Sequence, residues 1–171
     1  MRRGGGKAKG AQFERDVCRD LSLWVSEGKQ EDIFWRSAMS GGRSTIAAKR
    51  GKRLAAQAGD ISCIHEMGMK FAAKFLIECK FYADLQYGGL MTGKGHLVEF
   101  WQETVTEAVR CEKFPLLIAK QNRISPMACL GSDGARLLGI EYRALLIAPK
   151  QGLHIIPWHE FLAKADAKFV A

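Results

Sequence analysis

Apolar positions recur in two rhythms along the chain. In residues 11–27, Phe13, Val17, Leu21 and Trp24 follow one another at spacings of four, four and three, one face of a helix. Gly28 supplies a stop. Ile33-Phe34-Trp35 is a short apolar run, read as a strand ending at Arg36. Residues 37–59 lack periodicity and are read as a loop; one this long inside a compact domain is functional or disordered. Residues 60–66 and 71–80 are predicted to form a hairpin with Gly68 in the turn. In its second strand Phe71, Ala73, Phe75, Ile77 and Cys79 share an apolar face. Lys74, Glu78 and Lys80 lie on the other, with Ala72 and Leu76.

Residues 82–95 are glycine-rich and loop-like, and 96–112 read as a helix with Leu97, Trp101, Val105 and Ala108 in register. Strands are predicted at 114–120 and 127–130, a further hairpin at 143–148 and 153–156 around Gln151-Gly152, and a short helix at 158–168. Helix, strands, helix, strands, helix suits an α/β or α+β fold, with a central mixed sheet flanked by helices. No internal repeat is visible. A length of 171 residues fits one domain. The expected organisation is a flexible basic arm at 1–9 and a single domain at 10–171, carrying the loop at 37–59.

Composition sharpens this. With 47% hydrophobic and 26% charged residues the chain reads as globular. No apolar run is long enough to cross a bilayer, and the basic N-terminus leads into glycines rather than an apolar stretch. An intracellular, cytoplasmic protein with no membrane partner is expected. Five cysteines (Cys18, Cys63, Cys79, Cys111, Cys129) include no CxxC pair, which argues against zinc and for reduced thiols without a role.

The formal charge of +8 points to nucleic acid as partner. Its distribution says more. No acidic residue falls between Asp32 and Asp60, an interval holding Arg36, Arg43, Lys49, Arg50, Lys52 and Arg53; the first ten residues add Arg2, Arg3, Lys7 and Lys9. A solvated loop and a DNA-binding loop both fit, because phosphates can order what is otherwise disordered.

The predicted hairpin carries the candidate chemistry. With a three-residue turn at 68–70, Asp60 stands directly opposite Glu78, with Cβ atoms about 4.5–5.5 Å apart. Carboxylates that close repel unless a cation lies between them, and a hard divalent ion held through oxygen resolves this. Lys80 projects on the face of Glu78, where an ammonium can orient a water or offset charge on a phosphate. Two acids, a lysine and Mg²⁺ (or Mn²⁺ in its place) form the apparatus of phosphodiester hydrolysis.

Gly59-Asp60 followed by Glu78-Cys79-Lys80 resembles the PD-(D/E)XK nuclease superfamily, which implies a restriction-endonuclease-like core. Within it, Lys9-Gly10-Ala11-Gln12-Phe13-Glu14-Arg15, Arg36-Ser37-Ala38-Met39-Ser40-Gly41 and Pro115-Leu116-Leu117-Ile118-Ala119-Lys120 are similar to motifs of the archaeal-type Holliday junction resolvases. The resemblance implies Glu14 as a metal-associated acid beside Asp60, Glu78 and the Cys79 carbonyl. It implies Ser40 near the scissile phosphate, and Arg36, Lys120 and neighbouring Arg123 against DNA. It also implies a homodimer that makes paired cuts in branched DNA.

The chain departs from that pattern between Ser40 and Asp60, after Lys80, from about residue 124 onward, and at Gly59, where proline is usual. Two alternatives stay open. One is a phage- or mobile-element-type nuclease acting on duplex DNA or ends, a phage protein in a bacterial host. The other is a DNA-binding protein that does not cut.

The remaining candidates have plainer readings. His65, His96, His154 and His159 show no ligand spacing, and His65 reads as a core or edge residue. Gln102 reads as helix surface. Nothing singles out Asp84, Glu99 or Asp133. Trp35, Trp101 and Trp158 fit core roles.

Overall fold

The computed structural model describes residues 5–37, 58–63 and 65–166. Helix α1 (Gly5–Val25) buries Phe13, Val17, Cys18 and Leu21 along one stripe. It begins at Gly5, so Lys7 and Lys9 stand on its exposed first turns and not on a separate arm.

Strands β1 (Phe34–Arg36) and β2 (Ile61–Cys63) form an antiparallel ribbon in which Arg36 faces Ile61. The buried Ser22 hydroxyl accepts the backbone N–H groups of Ile33 and Phe34, which ties the approach to β1 onto α1. Trp35, expected in the core, points outward and is 50% exposed.

The expected hairpin does not form. Glu66, the expected turn and the first four residues of the expected second strand build helix α2 (Glu66–Lys74), and β2 pairs with β1. In the helix only Gly68 and Phe71 are buried, three residues apart on one face, while Ala73 and Lys74 are exposed. His65 caps it by accepting the Met67 N–H through Nδ1 at 3.2 Å. Gly68 lets the helix sit directly on the ribbon: a Cβ there would lie 2.6 Å from Cys63 Sγ and 2.7 Å from Phe34. The run Phe71, Ala73, Phe75 is period two only by coincidence, because the first two belong to the helix and the third opens a strand.

That strand, β3 (Phe75–Tyr82), runs parallel to β4 (Phe114–Gln121). A parallel pair needs a crossover, which is supplied by α3 (Gly89–Thr92) and α4 (His96–Arg110). Then come β5 (Met127–Leu130), a helix α5 (Ser132–Leu137) that periodicity did not reveal, β6 (Leu146–Ala148), β7 (Leu153–Pro157) and α6 (Trp158–Lys164). The five-stranded sheet has the order β3-β4-β5-β7-β6, antiparallel except between β3 and β4. This is an α+β fold with a central mixed sheet flanked by helices, consistent with a restriction-endonuclease-like core.

Both sheet faces are covered. Phe75, Ile77, Cys79, Leu116 and Ile118 pack in one core with Phe13, Val17 and Leu21 of α1, Phe71 of α2 and Trp158 and Phe161 of α6. Leu117, Ala119, Cys129 and Ile155 pack in the other with Leu97, Val98 and Trp101 of α4. Central strands buried on both sides read as continuous apolar runs, as Leu116-Leu117-Ile118-Ala119 does. Glu78 lies beside Leu117 and Lys80 beside Ala119 in the parallel register. Both therefore project toward α4, whereas Ile77 and Cys79 project toward α1. Among the described residues no helix is long and apolar enough to cross a membrane.

Candidate active site

Among the described residues β3 is an edge strand: β4 takes one side, and the other receives the turn at Gly59-Asp60. Three hydrogen bonds fix that turn. The Asp60 N–H donates to the Ile77 carbonyl at 2.9 Å, the Cys79 N–H donates to Asp60 Oδ2 at 2.9 Å, and the Ser37 N–H donates to the Asp60 carbonyl at 2.8 Å. Asp60 therefore reaches Glu78 from the strand edge, not from across a hairpin ladder. The two acids adjoin although their strands share no ladder.

Gly59 makes the approach possible. Its φ is +89°, and a Cβ there would lie 2.7 Å from the Ile77 carbonyl oxygen. Gly59→Ala is expected to cost about 1–3 kcal/mol of stability and to displace Asp60. Thermal melting should fall, and any activity that depends on Asp60 should fall further than the melting shift explains. Wild-type melting would show that the turn relaxes freely.

The Glu78 side chain is only 15% exposed, and its carboxyl is pushed up to about 9. Burial is the largest cause, followed by the Asp60 charge. Lys80 partly offsets both, and a hydrogen bond with Asp60 and the more distant Glu107 on α4 add to the rise. Lys80 Nζ lies 3.8 Å from Glu78 Oε2. Two carboxyl groups thus share one small site with the Lys80 ammonium, and a hard divalent cation that displaced the Glu78 proton would meet two anionic side chains there. Cys79 adds a third oxygen. A strand residue directs its N–H and C=O to the same side, and the Cys79 N–H is on Asp60, so its carbonyl faces that edge too.

Glu14 comes to this region from another element. It is on α1, and its carboxylate accepts a hydrogen bond from Arg36 Nε of β1 as an ion pair. Its charge is felt by the Cys18 thiol, pushed up to about 12 mainly by burial, and by Cys79, whose buried thiol is raised well above its ordinary value. Glu14 thus approaches from the α1 face and Glu78 from the α4 face, with the Cys79 side chain on the α1 side. Among the described residues no group of three or more His, Cys, Asp or Glu is placed to hold a metal. The structure brings Asp60, Glu78 and Lys80 together and leaves Glu14 on Arg36.

The other sequence candidates divide. Ser40, Arg43, Lys49, Arg50, Lys52 and Arg53 lie outside the described residues. Lys7, Lys9 and Arg123 are exposed. Lys120 Nζ stands 5.6 Å from the Phe13 ring centre and 5.2 Å from that of Phe81, and Lys9 Nζ 6.0 Å from the Phe81 ring. The composition missed the Glu14–Arg36 pair, which joins elements 22 residues apart. It also missed the hydroxyl contact of Ser37 with Ser62, which joins the two arms of the ribbon beside Asp60. No local signal marks either: the first follows from how β1 lies on α1, the second from the pairing of β1 with β2.

The model of a family described as phage putative PDDEXK endonuclease matches residues 5–144. That range takes in α1, the β1–β2 ribbon, the Asp60 turn, β3, α4, β4, β5 and α5. No curated protein and no solved structure matches the chain.

Proposed function

The chain belongs to the phage putative PDDEXK endonuclease family, and from that premise we propose that it is a divalent-metal-dependent endonuclease acting on duplex DNA. The observation that carries the proposal is the clamp of Asp60 on the Cys79 N–H, which sets its carboxylate beside buried Glu78 with Lys80 adjacent. The ion, Mg²⁺ or Mn²⁺, would be held by Asp60, Glu78 and the Cys79 carbonyl. The chemistry such an ion supplies is polarisation of the phosphodiester and a lowered pKa for water. Lys80 holds an ammonium where a nucleophilic water or a phosphate oxygen would sit. Glu14, paired with Arg36, supports the α1 side of the site.

The family match points to a phage-type nuclease rather than an archaeal-type resolvase, so duplex DNA is the substrate class proposed here. Lys7, Lys9, Lys120 and Arg123, with the basic residues of 37–59, are the phosphate contacts proposed with it.

The test compares supercoiled plasmid, linear duplex, a four-way junction and a single strand, each with Mg²⁺ and with chelator. Duplex cleavage that requires Mg²⁺ is the expected result. Linear product appearing without a nicked precursor would indicate two subunits acting together. Preferential cutting of the junction would transfer the proposal to branched DNA. Tight, salt-dependent binding with no cleavage of any substrate would falsify the nuclease reading and leave a DNA-binding protein.

A further inference from the structure

Lys80 is a long, flexible side chain in a site that needs its ammonium in one place. One partner is the Glu78 carboxylate. The second is an aromatic ring: Lys80 Nζ lies 5.5 Å from the centre of the Phe100 ring, within the range in which a ring face attracts a cation. Phe100 is on α4, the helix that covers the face toward which Lys80 projects.

The ring is itself held. His96, four residues earlier on α4, lies nearly parallel to it at 6.1 Å and 21°. Tyr82, two residues after Lys80 on β3, meets it edge-on at 5.5 Å and 74°. Tyr82 and His96 also touch each other, 4.6 Å apart at 61°. The helix and the strand that carries the lysine therefore converge on one ring. Edge-to-face and offset contacts of this kind restrain an aromatic side chain in orientation as well as position.

We propose that Phe100 is a positioning residue that holds the Lys80 ammonium at the candidate active site. The proposal rests on the reading of Lys80 as a catalytic group. The two partners of Lys80 differ in one respect. Glu78 is also a proposed cation ligand, and oxygens given to a metal attract Lys80 less. The ring has no affinity for a hard oxygen-seeking ion, so its hold on the ammonium persists when the metal is bound. Phe100 is then the partner that orients Lys80 in the loaded state.

The test uses the full chain with Phe100→Leu, Phe100→Tyr and Phe100→Trp. The leucine variant should lose about two- to five-fold in kcat on duplex DNA, with KM unchanged, and the two aromatic variants should retain activity. The second measurement needs no cleavage. By NMR, the Lys80 ε-methylene protons should carry an upfield ring shift in the wild type, lost in Phe100→Leu and kept in Phe100→Tyr. Equal kcat for leucine and the aromatics, or an unchanged Lys80 resonance in Phe100→Leu, overturns the proposal. If wild-type protein cuts no DNA, the nuclease reading falls, and the NMR comparison still decides whether the ring places the lysine. Melting curves of each variant separate loss of fold from loss of placement.

Discussion

Asp60→Asn is expected to reduce Mg²⁺-dependent DNA cleavage by about 10²-fold or more, while leaving the melting temperature and DNA affinity close to wild type. Asparagine keeps the size and the backbone bonds of Asp60 to Ile77 and Ser37. Its amide oxygen can still accept the Cys79 N–H that Asp60 Oδ2 accepts. The turn should therefore survive. What disappears is the anionic oxygen that, with Glu78, makes the site attractive to a hard cation. Removing that charge also removes the second-largest cause of the raised Glu78 carboxyl, so the remaining acid ionises more readily but alone. Single-turnover conversion of plasmid, beside binding measured in chelator, checks this. Wild-type cleavage by Asp60→Asn would remove Asp60 from the site; lost binding together with lost cleavage would assign it to the fold instead.

How far the site was legible follows from which contacts are local. The strong periodicities were reliable: the stripe of α1, the helix at His96–Arg110 and the strand through Leu117 all formed where apolar spacing put them. Those elements bury what their rhythm says they bury. Glu78 and Lys80 share a face because alternation within one strand fixes it. Asp60 does lie beside Glu78, but not through a hairpin. A nine-residue helix fits between its strand and β3, and sequence alternation across Phe71 and Phe75 hid it. What actually docks Asp60 is a glycine at φ +89° and three hydrogen bonds, two through its backbone and one through its carboxylate, to segments 17 to 23 residues away. Tertiary pairing of that sort leaves no periodic trace. The same holds for Glu14, which the motif placed with the metal ligands. Its partner in the fold, Arg36, is decided by how the β1–β2 ribbon lies on α1.

Raising the pH should destabilise the metal-free protein, and Mg²⁺ should restore it, through Glu78. The carboxyl moves from an ordinary value of 4.5 to about 9 in the fold. Below pH 4.5 it is protonated in both folded and unfolded chains. Between 4.5 and about 9 the unfolded chain gives up the proton and the folded chain keeps it, so stability falls as pH rises. Above about 9 both are ionised and the slope ends. A divalent cation competes with that proton, since it replaces one charge that burial opposes with a pair that it neutralises. Mg²⁺ should therefore raise the melting temperature more at about pH 8.5, near the top of that window, than at about pH 5.5, near its foot. At a hundredfold excess over Kd the gain is about 2.7 kcal/mol, or about 5–10 °C for a chain of this size. Glu78→Gln should flatten both the pH slope and the Mg²⁺ response while leaving the rest of the melting profile intact. The same experiment on Asp60→Asn should shrink the pH slope, because the charge that helps hold the Glu78 proton is gone. An Mg²⁺ shift of equal size in wild type and Glu78→Gln would place the cation elsewhere, and a wild-type melting curve indifferent to pH across that window would mean that water reaches Glu78 freely in the fold.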